Sequence, residues 1–322
     1  MSRITIAGAG AFGTALAIAL ASARKDVSLW ARDPVAAQRM RQGRENTAYL
    51  PDVPFPQGLT VANQLETLGD SETVLVAVPT QNLRAFLSEN AGVLGGRTCA
   101  LCCKGIEKAT GYLPSAIAGE ILPDARIAVL TGPGFATEIA RGLPSALTLA
   151  ASDATLGTAL QTRLSTARMR LYLSGDPVGA QLGGALKNVI AIACGVAIGA
   201  GLGESARAAL MTRGYAEMKR LAMAVGASPA TLAGLSGFGD LALTCTSVKS
   251  RNFSLGFALG QGGDMTQGTL EGVATAEASL ILSARLGVEM PITRIVASVL
   301  AGSMTIPEAT DALMSRPLRT ET

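Results

Sequence analysis

The hexapeptide Gly8-Ala9-Gly10-Ala11-Phe12-Gly13 constrains this chain more than any other feature. It follows the apolar run Ile4 to Ala7 directly and opens an alanine-rich helical stretch from Thr14 to Ala23. In that context the three glycines have separate tasks. Gly8 permits a tight turn, Gly10 lets a pyrophosphate approach the backbone, and Gly13 lets the helix pack closely on the strand. The helix N-terminus then offers N–H donors to the anion. The turn therefore predicts a dinucleotide-binding unit, against the alternative of a strand-to-helix turn that binds nothing.

Further apolar runs at Val27 to Trp30, Thr73 to Val78, Cys99 to Cys103, Ile127 to Thr131 and Ala146 to Ala150 alternate with helical stretches. Such alternation predicts a mostly parallel sheet covered on both faces. After Leu171-Tyr172-Leu173, the Ser-Gly-Asp-Pro turn at 174–177 ends the strand-like runs and helical periodicity takes over. The expected fold is α/β, with an N-terminal Rossmann-like doubly wound domain at 1–176 and an all-helical domain at 177–322. Within the second part, Glu204 to Val225 reads as an amphipathic helix and 226–240 as a loop rich in Gly and Ser.

Composition narrows the chemistry. With 27 Lys and Arg against 24 Asp and Glu, the net charge of +3 predicts no nucleic-acid surface. The absence of histidine excludes Ser-His-Asp and Cys-His catalysis and removes the commonest zinc ligand, so no metal is expected. Proton transfer falls to Lys, Asp, Glu, Tyr or Cys. The five cysteines, two of them adjacent at Cys102 and Cys103, read as buried thiols in a reducing, cytoplasmic compartment. No signal-peptide pattern precedes the first strand. From Pro177 to Gly203 the only charge is Lys187, which approaches the length of a membrane span; seven glycines and a central lysine favour a buried helix instead, with no membrane span.

Lys187, inside Gln181-Leu-Gly-Gly-Ala-Leu-Lys-Asn188, is the most informative residue. A lone ammonium in an uncharged helix is costly to bury unless it is paired or deprotonated. Burial lowers its pKa toward neutrality and suits it to general acid or base work. Asp240, in Ser236-Gly-Phe-Gly-Asp240, is a plausible partner; alternatively it caps a helix. Lys104, with Gly105 beside it, closes a strand and should project from the carboxyl edge of the sheet, as should Thr131-Gly132-Pro133-Gly134. Ser250-Arg251-Asn252 combines a hydroxyl, a guanidinium and an amide suited to a phosphate monoester. At the end of the second strand Arg32 stands where a carboxylate would select NAD, which favours NADP, although Asp33 follows it and could swing back to the ribose.

Taken together, the strings GAGAFGTALA, CCKGIE, TGPGFATEIARGLP, GAQLGGALKNVIAIACG, ARAALMTRGYAEM, GFGDLALTCTS, SRN and GVEMPIT resemble the bacterial-type NAD(P)-dependent glycerol-3-phosphate dehydrogenases, over nearly the whole chain. The resemblance implies an oxidoreductase interconverting dihydroxyacetone phosphate and sn-glycerol 3-phosphate for phospholipid synthesis. It implies NADPH as cofactor, with NADH possible, touched by Ala11, Phe12 and Arg32 as well as by the glycines of the turn. Lys104 would lie near both cofactor and substrate, and Lys187 would be the proton acceptor. The substrate would sit among Asp240, Ser250, Arg251 and Asn252, with Gly132, Gly134 and Ala136 at the junction. Arg251, Thr269 and Glu271 would close over the cofactor. The sequence departs from the family at Gly134, usually Ser or Thr; at Thr269, where an aliphatic residue is common; and in a shortened segment from Gly260 to Glu271. The partner expected is a small phosphate substrate, with a homodimer compatible and oligomeric state not fixed by the sequence. Two other readings stay open: a two-domain reductase of a β-hydroxy acid, and a non-catalytic dinucleotide sensor, against which the buried proton donor argues.

Overall fold

The computed structural model describes residues 3–65, 71–263 and 271–315. Its strands are β1 (Ile4–Ala7), β2 (Val27–Trp30), β3 (Glu45–Asn46), β4 (Leu50–Pro54), β5 (Leu59–Ala62), β6 (Thr73–Val76), β7 (Thr98–Leu101), β8 (Arg126–Thr131), β9 (Ser145–Ala150) and β10 (Met169–Ser174). Eight of them form one sheet in the order β10-β9-β8-β7-β6-β1-β2-β5, while β3 and β4 pair separately as an antiparallel hairpin. The chain leaves β1 toward β2 and returns to β6 on its other side, so the crevice of a doubly wound fold opens at the carboxyl ends of β1 and β6.

The strands β1, β2, β6 and β7 are buried at every residue. Alternate side chains feed two apolar layers: Ile6, Leu75 and Ala100 lie in one, and Ala7, Val74, Val76 and Leu101 in the other. That is why these runs read as continuously apolar. The sheet is parallel from β5 to β8, but β9 runs antiparallel to β8, and β10 follows β9. The connection explains the reversal. Between β8 and β9 lies only the five-residue helix Ala136–Ala140, about 7.5 Å of rise. A parallel crossover would have to span the roughly 20 Å of a six-residue strand, so β9 starts from the edge where β8 ended. All five cysteines are free and buried, and burial pushes the Cys99 and Cys103 thiols up to about 12.

The second half is helical and is organised around the helix Pro177–Gly199, which is long and apolar enough to cross a membrane but is largely enclosed by its neighbours here. Its main partner is the helix Arg251–Gly260. The two meet backbone to backbone. A β-carbon at Gly195 would lie 2.1 Å from the Phe253 carbonyl oxygen, and one at Gly256 would lie 2.0 Å from that of Ile192. Gly199 and Gly260 repeat the contact one turn on. The amphipathic stretch forms the helix Gly203–Ala224. The segment 226–240 is less irregular than its composition predicts. It contains the short helix Pro229–Ala233 and a π-helical turn Leu235–Gly239 that runs straight into the helix Asp240–Cys245.

Candidate active site

The glycine turn sits at the mouth of the crevice. Gly8 has φ +120°, and a β-carbon there would lie 2.6 Å from the Ala77 carbonyl oxygen. A β-carbon on Gly13 would fall 2.0 Å from the carbonyl oxygen of Gly8, whereas nothing lies within 4 Å of one on Gly10. So Gly8 and Gly13 are required by the fold, while Gly10 borders open space. Gly10 is also the N-cap of the helix Ala11–Ser22, and no side chain caps its free N–H groups. Arg32 is exposed and without a partner among the described residues. Asp33 is committed elsewhere: its carboxylate accepts from the N–H of Val35 at 2.9 Å as the N-cap of the helix Pro34–Gly43. It does not swing back toward the second strand. Open space at Gly10, an uncapped helix N-terminus and an unpaired guanidinium together fit a phosphorylated dinucleotide.

Across the crevice two lysines converge on one carboxylate. Lys187 Nζ donates to Asp240 Oδ1 at 2.5 Å and to Thr244 Oγ1 at 2.8 Å. Lys104 Nζ donates to Asp240 Oδ2 at 2.7 Å and to the Gly132 carbonyl at 3.1 Å. Lys187 is 7% and Asp240 1% exposed, so the ammonium does not snorkel to solvent and the carboxylate is no helix cap. Burial lowers the Lys187 pKa from 10.5 to about 8; Asp240 opposes that shift and Lys104 adds to it. The local sequence explains the approach. A β-carbon on Gly183 would lie 2.4 Å from the Ser236 carbonyl oxygen, so the glycine lets the π-helical turn pack against the Lys187 helix and deliver Asp240 to it. Gly184, in the same way, leaves room for Thr131 Oγ1.

Lys104 lies three residues beyond the end of β7 rather than closing it, and its Nζ stands 5.7 Å from the centre of the Phe12 ring. It thereby joins the glycine turn to the lysine–aspartate centre. Its loop is tied to the helix Glu271–Arg285 by the Lys108–Glu277 ion pair and by Arg285 Nη1 donating to the Thr110 carbonyl at 2.6 Å. Gly132 has φ +135°, and a β-carbon there would press on the backbone of Leu147 and Thr148. Gly134 has no such restriction: a β-carbon would meet only side-chain carbons, with Ile139 Cδ1 at 2.8 Å. Ala136 begins the helix Ala136–Ala140.

Ser250, Arg251 and Asn252 form a helix start rather than a loop. Ser250 Oγ accepts from the Phe253 N–H at 3.2 Å as N-cap, and Arg251 is the exposed first residue. The Oδ1 of Asn252 is buried without a partner and lies against Gly272. Glu271 is half-buried; burial raises its pKa, while Lys104, Arg251 and Lys187 pull the other way, which places it among those cations. Thr269 lies outside the described residues, as does most of the segment before Glu271. Among the described residues no group of three Cys, Asp or Glu side chains is placed to hold a metal. Sequence reasoning gave Thr244 no role. Its signal was the i, i+4 spacing from Asp240 on one short helix.

A doubly wound sheet with an open glycine turn, facing a buried lysine–aspartate pair in a helical domain, is the arrangement of a two-domain nicotinamide-dependent oxidoreductase. Residues 3–157 match the family described as the NAD-dependent glycerol-3-phosphate dehydrogenase N-terminus, and residues 176–311 match its C-terminus. The chain belongs to this family. It is 53% identical over 319 residues to a glycerol-3-phosphate dehydrogenase [NAD(P)+] of Ruegeria sp. (strain TM1040), covering 99% of each chain. To the protein of that name from Cereibacter sphaeroides it is 54% identical, over 99% of this chain and all of the relative. A crystal structure of glycerol-3-phosphate dehydrogenase from Coxiella burnetii superposes with a TM-score of 0.94 at 35% identity, covering 98% of this chain and 99% of that one.

Proposed function

We propose that the chain interconverts dihydroxyacetone phosphate and sn-glycerol 3-phosphate with NADPH, accepting NADH as well. Residues 1–176 hold the dinucleotide and residues 177–322 the substrate. The observation that carries this reading is Lys187, buried with Asp240 at 2.5 Å and with its pKa brought to about 8, beside a turn suited to a dinucleotide. A nicotinamide dinucleotide held at the glycine turn by Gly10, Ala11 and Phe12 would supply the hydride for the carbonyl carbon.

As charge develops on the carbonyl oxygen, the ammonium of Lys187 protonates it; in the reverse direction the neutral amine accepts the hydroxyl proton. Asp240 orients that nitrogen together with Thr244, and Lys104 adds a second fixed cation beside the developing charge. Ser250, Arg251 and Asn252, at the start of their helix, hold the substrate phosphate by a guanidinium fork, an amide and helix N–H groups. The Gly132, Gly134 and Ala136 segment lines the junction, and Arg251 and Glu271 close over the cofactor. Ala11 and Phe12 approach the cofactor from the glycine turn, and Arg32 reads its 2′-phosphate.

Single-turnover oxidation of NADPH tests the reading. Dihydroxyacetone phosphate should be reduced, with dihydroxyacetone and β-keto acids far poorer, and Lys187→Ala should lower kcat by on the order of 10² to 10⁴ while NADPH still binds. Equal reduction of a β-keto acid would favour the hydroxy-acid reductase instead, and NADPH binding without turnover the sensor. As extensions of this reading, we place the enzyme in the cytoplasm, supplying glycerol 3-phosphate for phospholipid synthesis; a homodimer is compatible with it, and light scattering would give the oligomeric state.

A further inference from the structure

The hairpin of β3 and β4 belongs to neither the large sheet nor the lysine–aspartate centre, yet it sends one buried side chain into the glycine turn. Asn46, 3% exposed, donates through Nδ2 to the carbonyl oxygen of Ala9 at 2.9 Å and to Thr14 Oγ1 at 2.8 Å. The orientation of this amide is chemically forced. A carbonyl oxygen can only accept, so the nitrogen and not the oxygen of Asn46 must face Ala9. The hairpin that carries it is anchored on both sides. Leu50, Val53 and Phe55 enter the apolar layer under the sheet, and Arg44 donates to the carbonyls of Leu59, Phe55 and Pro56.

We propose that Asn46 is a positioning residue for cofactor pyrophosphate, acting by fixing the Ala9–Gly10 peptide and the first turn of the helix that follows. The peptide is trans, so its C=O and N–H point in opposite directions. Holding the Ala9 oxygen toward the hairpin therefore holds the Gly10 N–H pointing away from it, at the residue with open space beside it. The second N–H of the amide reaches Thr14, one turn into the helix Ala11–Ser22. Glycine turn and helix N-terminus are thus held as one unit, and the N–H groups of Ala11 and Phe12 keep their aim. Glycines on either side of Ala9 leave this peptide free to rotate in the absence of such a tie. No other uncharged side chain this short offers two N–H donors.

The inference rests on the dinucleotide reading of the turn, and its test separates the two. Binding of three ligands is measured by calorimetry on the full chain and on Asn46→Ser and Asn46→Asp: NADPH, ADP as a pyrophosphate probe, and adenosine 2′-phosphate as a probe lacking pyrophosphate. Both variants should weaken NADPH and ADP on the order of tenfold, the effect of one buried hydrogen bond left unmade. Adenosine 2′-phosphate should change by less than about twofold, and kcat at saturating NADPH and KM for dihydroxyacetone phosphate should hold within about threefold. Equal weakening of all three ligands, or no weakening of ADP, would overturn the inference. Loss of the fold in both variants would do the same, by making Asn46 a structural tie alone. Failure of the unaltered chain to bind NADPH would overturn instead the reading on which it rests.

Discussion

Replacing Asp240 with asparagine keeps the shape of the centre and removes the only negative charge in direct contact with the two lysines among the described residues. In the intact protein burial outweighs the attraction of Asp240 and leaves Lys187 at about 8. A pair of unit charges about 4 Å apart interacts by about 4 kcal/mol at the effective dielectric of about 20 that suits protein sites. At 1.36 kcal/mol per pKa unit this corresponds to nearly 3 units; with partial compensation by Asn Oδ1, a fall of about two to three units follows. Lys187 in Asp240→Asn should then titrate between about 5 and 6, leaving on the order of 1–10% of the enzyme with an ammonium at pH 7. The sign is definite. Reduction uses the protonated form, so its rate is flat below the pKa and falls above it. The assay is kcat for dihydroxyacetone phosphate reduction against pH at saturating NADPH. In the parent the fall should begin near pH 8, and in Asp240→Asn it should move to acid while the plateau at low pH stays within about tenfold. A variant with reduced kcat but an unmoved inflection near 8 would refute the argument, because the group that titrates would not be the one Asp240 holds.

The other expectations concern the cofactor's ribose, the substrate phosphate and the junction. Arg32→Asp should shift the kcat/KM preference from NADPH toward NADH, and since Asp33 is fixed as a helix cap, an unchanged ratio would mean that the backbone reads the ribose. Arg251→Lys keeps the charge but loses the fork, so KM for dihydroxyacetone phosphate should rise by more than that for dihydroxyacetone; equal changes would remove Arg251 from the substrate phosphate and leave it acting on the cofactor or the fold alone. Gly134→Ser should alter KM for either ligand by less than about threefold and lower Tm by only a few degrees, because the new side chain displaces a terminal methyl of Ile139 at a cost of about 1 kcal/mol. A drop of many degrees would show that the glycine is needed for the turn itself.

The glycine turn, the parallel strands and the lysine helix were readable in the chain because each depends on local pattern. Period and composition also pointed from Lys187 to Asp240, since a buried ammonium demands a partner and few carboxylates stand in apolar surroundings. What the pattern could not give was set by distant contacts. The reversal at β9 depends on the length of one connecting helix, and the π-helical turn at 235–239 exists because Gly183 and Gly237 let it wedge between the Lys187 helix and Leu232. The hairpin at 45–54 carries two prolines and pairs only with itself, so no apolar run marks it in the chain. Nothing local singles out Asn46, whose contact with Ala9 joins positions 37 residues apart. Asp33, likewise, is removed from the list of ribose readers only by a hydrogen bond to its own helix.

On the proposed function, the interlocked glycines of the helices Pro177–Gly199 and Arg251–Gly260 set the spacing between the two ends of the substrate site. One helix carries the nitrogen proposed to exchange a proton, and the other begins with the guanidinium proposed to hold the phosphate. Their backbones touch at Gly195, Gly199, Gly256 and Gly260, so neither can slide by a fraction of a turn without collision. A register shift of a whole turn would move the jaws by about 5.4 Å, far coarser than the increment of one carbon. The spacing between proton donor and anion clamp is therefore quantised by the helix repeat. A substrate with one more methylene between carbonyl and phosphate cannot be accommodated by slippage at this seam, so any adjustment falls to side chains such as the exposed Arg251.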